Sequence, residues 1–282
     1  MFQYAVGRSL AEKNGSEVRL DLSFLQNQNV PANVTVRRYE LSIFNIQEAF
    51  ADGTQVKRLK NLVTRTVRKF LPNVAGNPYV NERYFQFDPS ILHLPDNVYL
   101  EGHWMSEKYF ENIQSTLRRE FTFRKPVIDA AKPLENLIAN SNAVCVQVRR
   151  GDYVTNPAVA KMHGTTTLDY YRNAVDLIKS KIDNPTFFVF SDDSQWCMEH
   201  LNMMAPVYFV EDELKNHPAT NSDFLQLMSK CKHFIISNST FAWWGAWLGN
   251  HEQKIVIAPR HWFNDRQIVT SDIYPKEWLK VE

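Results

Sequence analysis

No stretch of this 282-residue sequence approaches the ~18 consecutive apolar residues that a membrane-spanning helix requires. Cysteine is scarce: Cys145, Cys197 and Cys231 lie far apart, odd in number and without metal-ligand spacing. They read as reduced core thiols of a cytosolic protein, which excludes a disulfide framework and a cysteine-built metal site. An excess of one charge is missing too, with 32 Lys and Arg against 31 Asp and Glu. That balance argues against a nucleic-acid scaffold, so a bound anion should meet a local basic cluster rather than a global field. No signal peptide is expected, because the chain opens Phe2-Gln3-Tyr4 and soon carries Arg8, Glu12 and Lys13. In that compartment the sequons Asn33-Val34-Thr35 and Asn238-Ser239-Thr240 carry little meaning. Neither GxGxxG nor a Walker-type lysine is present.

What is there supports a large core. Apolar residues make up 44% of the chain and aromatics 13%, which excludes disorder. Phe2, Val6 and Leu10 have helical spacing, and Asn14-Gly15 should stop that helix. Val18–Leu22 reads as a strand and residues 45–70 as mostly helical, with a solvated basic face from Lys57 to Lys69. Val98–Leu100 reads as a short strand running into Glu101-Gly102-His103-Trp104, with a helical stretch at Ser106–Thr116. The second half alternates. Strands are expected at Ala143–Val148, Thr186–Phe190, Val207–Val210, Phe234–Ser237 and Lys254–Ala258. Helices are expected between them, at Leu168–Ile182, Gln195–Leu201, Asp223–Cys231 and Ala242–Leu248. Apolar, β-branched strands alternating with helices indicate a parallel sheet covered on both faces. The polar stretch Lys132–Asn142 is the expected boundary between domains 1–140 and 141–282.

Ligands of open parallel sheets bind beyond the carboxyl ends of strands, where three polar clusters are expected. The first is Gln147-Val148-Arg149-Arg150-Gly151-Asp152-Tyr153. Side chains alternate along a strand, so Gln147 and Arg149 should share one face and Arg150 the other. One arginine then faces the crevice and the other pairs locally, for instance with Asp152. A guanidinium fork suits a diphosphate, although two arginines in surface ion pairs fit the cluster equally well. The second cluster is Ser191-Asp192-Asp193. Adjacent aspartates at a strand end more often cap the next helix than hold a hard cation. The third is Ser237-Asn238-Ser239-Thr240 running into Phe241-Ala242-Trp243-Trp244-Gly245-Ala246-Trp247. A helix starting there offers unpaired N–H groups to an anion, with hydroxyls from Ser239 and Thr240. Simple N-capping is the alternative, and the tryptophans read as core.

Together these clusters resemble the bacterial α-1,2-fucosyltransferase family, related to the α-1,6- and protein O-fucosyltransferases. The family's His-x-Arg-Arg-Gly-Asp-Tyr is matched by residues 147–153, its Ser-Asp-Asp by 191–193 and its Asn-Ser-Thr-Phe-x-Trp-Trp-Gly-Ala by 238–246. Phe2-Gln3-Tyr4-Ala5, Gly102–Phe110 and Lys254–Phe263 match in order as well. The resemblance implies an α/β, GT-B-like fold of two facing Rossmann-like domains with parallel sheets. It implies an inverting transfer of L-fucose from GDP-fucose to the 2-hydroxyl of a terminal galactose, with no metal or other cofactor. An O-antigen or capsule glycan is the expected acceptor, met in the cytoplasm or peripherally at the membrane. Donor contacts would come from Gln147, Arg149, Asp192, Asp223, Ser239 and Thr240, with Asp223 at the guanine. Arg149 would offset the leaving charge. Asp152 heads the candidates for general base, and Glu101 and His103 are candidates on the acceptor side.

The sequence departs from that pattern twice. The family's histidine is Gln147 here, which hydrogen-bonds but cannot take a proton near neutral pH. The family's opening strand and Gly-Gly-Leu-Gly-Asn-Gln loop are expected ahead of Met1. Both departures keep in view a catalytically silent GDP-sugar or glycan-binding protein. A fucosyltransferase of different linkage, or one using another GDP-sugar, is a second rival, because the motifs report on the donor while acceptor choice lies in the N-terminal half.

Overall fold

The computed structural model describes residues 1–26, 37–60 and 78–282. The chain divides into two units, Met1–Thr122 with Val269–Pro275, and Phe123–Ile268 with Lys276–Glu282. The stretch expected as a boundary instead forms a helix of the second unit, because Leu134 and Ile138, one turn apart, bury one face of it.

The first unit opens with helix α1 (Phe2–Asn14), stopped by Gly15 at φ 62°. Its buried face carries Phe2, Tyr4, Val6 and Leu10, and it meets Phe110 and Phe121 at ring distances of 6.2 and 5.7 Å. Glu120 accepts hydrogen bonds from the Tyr4 hydroxyl (2.7 Å) and Arg8 Nε (2.9 Å), tying that face down at its polar edge. Short helices α2 (Ser23–Gln26) and α3 (Gly53–Lys60) follow. The strand expected at Val18–Leu22 is reduced to a single parallel bridge, Leu20 to Phe50. Of the helix expected over 45–70, residues 53–60 are helical and 61–70 lie outside the described residues, as does the sequon at Asn33. Strands β1 (Tyr79–Asn81) and β2 (Tyr99–Glu101) pair in parallel. The helical stretch expected at 106–116 resolves into two 3₁₀ turns and then α4 (Gln114–Glu120).

The second unit holds the regular architecture. Helix α5 (Lys132–Ala139) leads into β3 (Asn142–Val148), then α6 (Gly151–Thr155), α7 (Pro157–His163) and α8 (Leu168–Lys179). Next come β4 (Pro185–Ser191), α9 (Ser194–His200), β5 (Val207–Phe209), α10 (Val210–Glu213) and α11 (Asn221–Lys230). Strand β6 (His233–Ile235), α12 (Thr240–Leu248), β7 (Val256–Pro259) and β8 (Leu279–Val281) complete it. The six strands are all parallel, in the order β5-β4-β3-β6-β7-β8. Every β3 residue after Asn142 is buried, which requires cover on both faces. Val144, Val146 and Val148 pack with Tyr170, Ala174 and Ile178 of α8 on one side. The expected parallel α/β class therefore holds. Cys145, Cys197 and Cys231 are free and buried, as read. Trp243, Trp244 and Trp247 are core, also as read. Among the described residues no helix is long and apolar enough to cross a membrane.

Candidate active site at the sheet switch point

From β3 the chain adds β4 and β5 on one side, then returns to add β6, β7 and β8 on the other. The reversal lies between β3 and β6, where open parallel sheets leave a crevice. Three strand ends deliver the three motifs there: Arg149 after β3, Asp192 after β4, and Ser237–Thr240 after β6. The two strands flanking the reversal are cross-linked by a buried hydrogen bond in which the Ser237 hydroxyl donates to Gln147 Oε1.

Arg149 is held from two sides. Its Nη2 lies 2.7 Å from Asp152 Oδ1 and its Nη1 2.7 Å from Asp192 Oδ2. Its guanidinium carbon sits 5.6 Å from the centre of the Tyr153 ring. Asp192 also accepts the Arg150 backbone N–H at 2.8 Å, locking the end of β4 to the end of β3. A Cβ at position 151 would stand 2.5 Å from Asp192 Oδ2, so glycine there is what admits this carboxylate. Arg150 stacks on Trp196 at 3.9 Å and bonds Asp193 Oδ2 at 2.9 Å. That hydrogen bond outweighs desolvation and lowers the Asp193 pKa.

Asp152 thus pairs with Arg149 rather than with Arg150. Alternation ends with β3 at Val148, and α6 then brings Asp152 back three residues on, beside Arg149. Asp193 caps α9 by accepting the Trp196 N–H at 3.2 Å, as adjacent aspartates at a strand end suggested. Asp192 does not cap that helix; it orients Arg149. The two guanidiniums face three carboxylates. An incoming polyanion must therefore use the Arg149 N–H groups those carboxylates leave open, or displace one of them.

Helix α12 begins with Ser239 at the N-cap, its hydroxyl making no capping hydrogen bond, and with Thr240 exposed. Asn238 is buried, and its Nδ2 donates to the carbonyls of His163 (3.0 Å) and Trp262 (2.9 Å), so this sequon asparagine serves the fold. Asp223 is the third residue of α11 and part of a capping box. It accepts the Thr220 N–H and hydroxyl at 2.8 Å each and the Ile128 N–H at 2.9 Å. Those hydrogen bonds prevail over its burial and lower its pKa. A guanine contact at Asp223 would have to break this cap. Glu101 and His103 lie in the first unit, at the carboxyl end of β2.

The sequence profile of glycosyl transferase family 11 matches residues 38–282. This chain belongs to glycosyl transferase family 11. It is 32% identical over 285 residues to an α-1,2-colitosyltransferase of Escherichia coli, covering 100% of this chain and 94% of that one. It is 31% identical to the O-antigen biosynthesis glycosyltransferase WbnK of Escherichia coli, over 96% of this chain and 94% of the relative. It is 32% identical to galactoside α-(1,2)-fucosyltransferase 2 of Sus scrofa, over 64% of this chain and 52% of the relative. A solved glycosyl transferase family 9 structure from Veillonella parvula aligns with 100% of this chain and 82% of its own at TM-score 0.41 and 10% identity. That is too distant to carry an argument.

Two residues of this family 11 chain escaped the sequence reading. Glu211 lies two residues past β5, immediately after the strand expected at Val207–Val210, so the strand-end rule that found Arg149 and Asp192 would have found it. Ser237, quoted only as the start of its cluster, is the partner of Gln147.

Proposed function

We propose that this family 11 chain transfers a 6-deoxy-L-hexose from its GDP derivative to the 2-hydroxyl of a terminal galactose, with inversion and without a metal. Its chief support is the meeting of Arg149, Gln147 and the start of α12 at the switch point of one parallel sheet. A departing nucleoside diphosphate needs charge stabilisation rather than protonation. A pre-oriented guanidinium and a helix N-terminus provide that, with hydroxyls from Ser239 and Thr240. Asp152 and Asp192 hold Arg149 in place between turnovers. For Asp152 this is an orienting role beside its candidacy as general base; Glu101 and His103 are the other candidates.

L-Fucose and colitose differ only by the 3-hydroxyl. The near full-length likeness to an α-1,2-colitosyltransferase makes GDP-colitose the second donor to test. The likeness to an O-antigen glycosyltransferase supports a lipid-linked repeat unit as acceptor, reached peripherally from the cytoplasm. The test is GDP release from GDP-fucose and from GDP-colitose, with and without lactose, in EDTA. Acceptor-dependent release in EDTA is expected, and the faster donor names the sugar. Release abolished by EDTA would refute metal independence. Donor binding without release from either sugar would replace the transferase with a binding protein.

A further inference from the structure

In the first unit, β1 and β2 run in parallel and in register from Tyr79↔Tyr99 to Asn81↔Glu101, so their carboxyl ends lie level. The Glu82 N–H donates to the Glu101 carbonyl at 2.8 Å, extending the ladder by one residue. The chain after β2 then turns sharply over the Glu82 side chain. Its carboxylate accepts two successive backbone N–H groups, His103 at 2.6 Å and Trp104 at 3.0 Å. A Cβ on residue 102 would stand 2.4 Å from Glu82 Cβ, so Gly102 is what lets the carboxylate in. The Gly102 carbonyl accepts Gln3 Nε2 of α1 at 3.1 Å.

Trp104 sits at φ 56°, a left-handed conformation unusual for a bulky residue. It is held there because its ring is 1% exposed and packs edge-on against Tyr109 at 5.5 Å. The turn is thus fixed by a carboxylate, an amide and a buried ring. The side chains it presents are nonetheless exposed: Glu101, which accepts the Tyr79 hydroxyl at 2.6 Å, and His103, whose ring lies 5.8 Å from Phe85. Strain that surrounding structure over-determines, beneath exposed polar groups, is a mark of a ligand-binding frame. A connecting loop needs none of it.

We propose that Glu82 is a positioning residue that holds the Gly102–Trp104 turn so that His103 and Glu101 meet the hydroxyls of the acceptor sugar. The proposal rests on the glycosyl-transfer reading for its choice of ligand. An imidazole, a carboxylate and an aromatic ring at one strand end offer donors, acceptors and an apolar face, the combination a pyranose takes. Replacing Glu82 with glutamine removes the charge and sets an amide against one of the two N–H groups.

The test is a double-mutant cycle with Glu82→Gln and His103→Ala, read as acceptor KM at saturating donor and as donor affinity. Each single variant should raise acceptor KM on the order of tenfold, the loss of about one charge-assisted hydrogen bond. Donor affinity should stay unchanged. Because Glu82 acts in part through His103, the losses in the double variant should fall well short of additive. An acceptor KM untouched by Glu82→Gln, or fully additive losses, would overturn the assignment while leaving the transferase reading intact. If the wild type transfers nothing, lactose binding is followed directly by ligand-observed NMR. Binding by the wild type that Glu82→Gln loses would sustain the positioning role without the reaction, and no binding by the wild type would end both.

Discussion

Glu211 carries the sharpest stability prediction. It is the second residue of α10, just past β5, and faces the end of β4, where Oε2 is buried with no hydrogen-bond partner among the described residues. Desolvation is the main cause that raises its pKa, from 4.5 to about 8, and the negative charge of Asp192 adds to it. The nearby backbone N–H groups of Ser191 and Glu211 itself offset only part of that cost. The other titratable neighbours, the Cys145 and Cys197 thiols, are pushed upward by burial, Cys197 to about 12, and stay neutral throughout this range. Between the unfolded and folded pKa values the native state keeps a proton that the unfolded chain releases. Stability must therefore fall as pH rises, by about 1.4 kcal/mol per unit. From pH 5 to 7 the wild type should lose on the order of 2–3 kcal/mol that Glu211→Gln does not, since glutamine stays neutral. In a chain of this size that is roughly 5–10 °C of melting temperature. Calorimetry of both proteins across pH 5–9 checks it, because all other titrations cancel in the difference. The advantage of the variant should grow up to pH 8 and level beyond. Melting curves that run parallel across the range would refute the buried, protonated carboxyl.

Arg149→Lys should lower turnover by about 10²–10³ at saturating donor, because a point ammonium cannot hold Asp152, Asp192 and a diphosphate together; a loss under tenfold would remove Arg149 from the charge-stabilising role. Gln147→His should leave turnover within about tenfold, since Gln147 is read as a donor-side hydrogen-bonding group. A large gain at unchanged donor affinity would instead make the family's histidine the missing base. Asp223→Ala should cost about 2–3 kcal/mol of stability, seen in denaturant unfolding, by orphaning the Thr220 and Ile128 N–H groups. Donor affinity should not change, and a marked loss in the folded variant would return Asp223 to the guanine.

The parallel strands of the second unit were legible because strands buried on both faces appear as unbroken apolar runs, such as Phe187–Phe190. Strand β8 was missed because Leu279-Lys280-Val281, on the sheet edge, is not such a run. Helices α6 and α7, five and seven residues long, are too short for a 3.6-residue period to show. The motifs that define the family were likewise readable, since each clusters within one strand end. Their pairing was not. Alternation governs side chains only while the strand lasts, and Arg149 and Arg150 lie just past it. Which carboxylate each arginine takes was settled by β4, which brings Asp192 and Asp193 alongside from some forty residues downstream. The sequence by itself thus determined the sheet, its family motifs and the strand ends that carry them. Only the tertiary structure decided the partners of Arg149, the burial of Glu211 and the Glu82 clamp, because each depends on contacts between segments far apart along the chain.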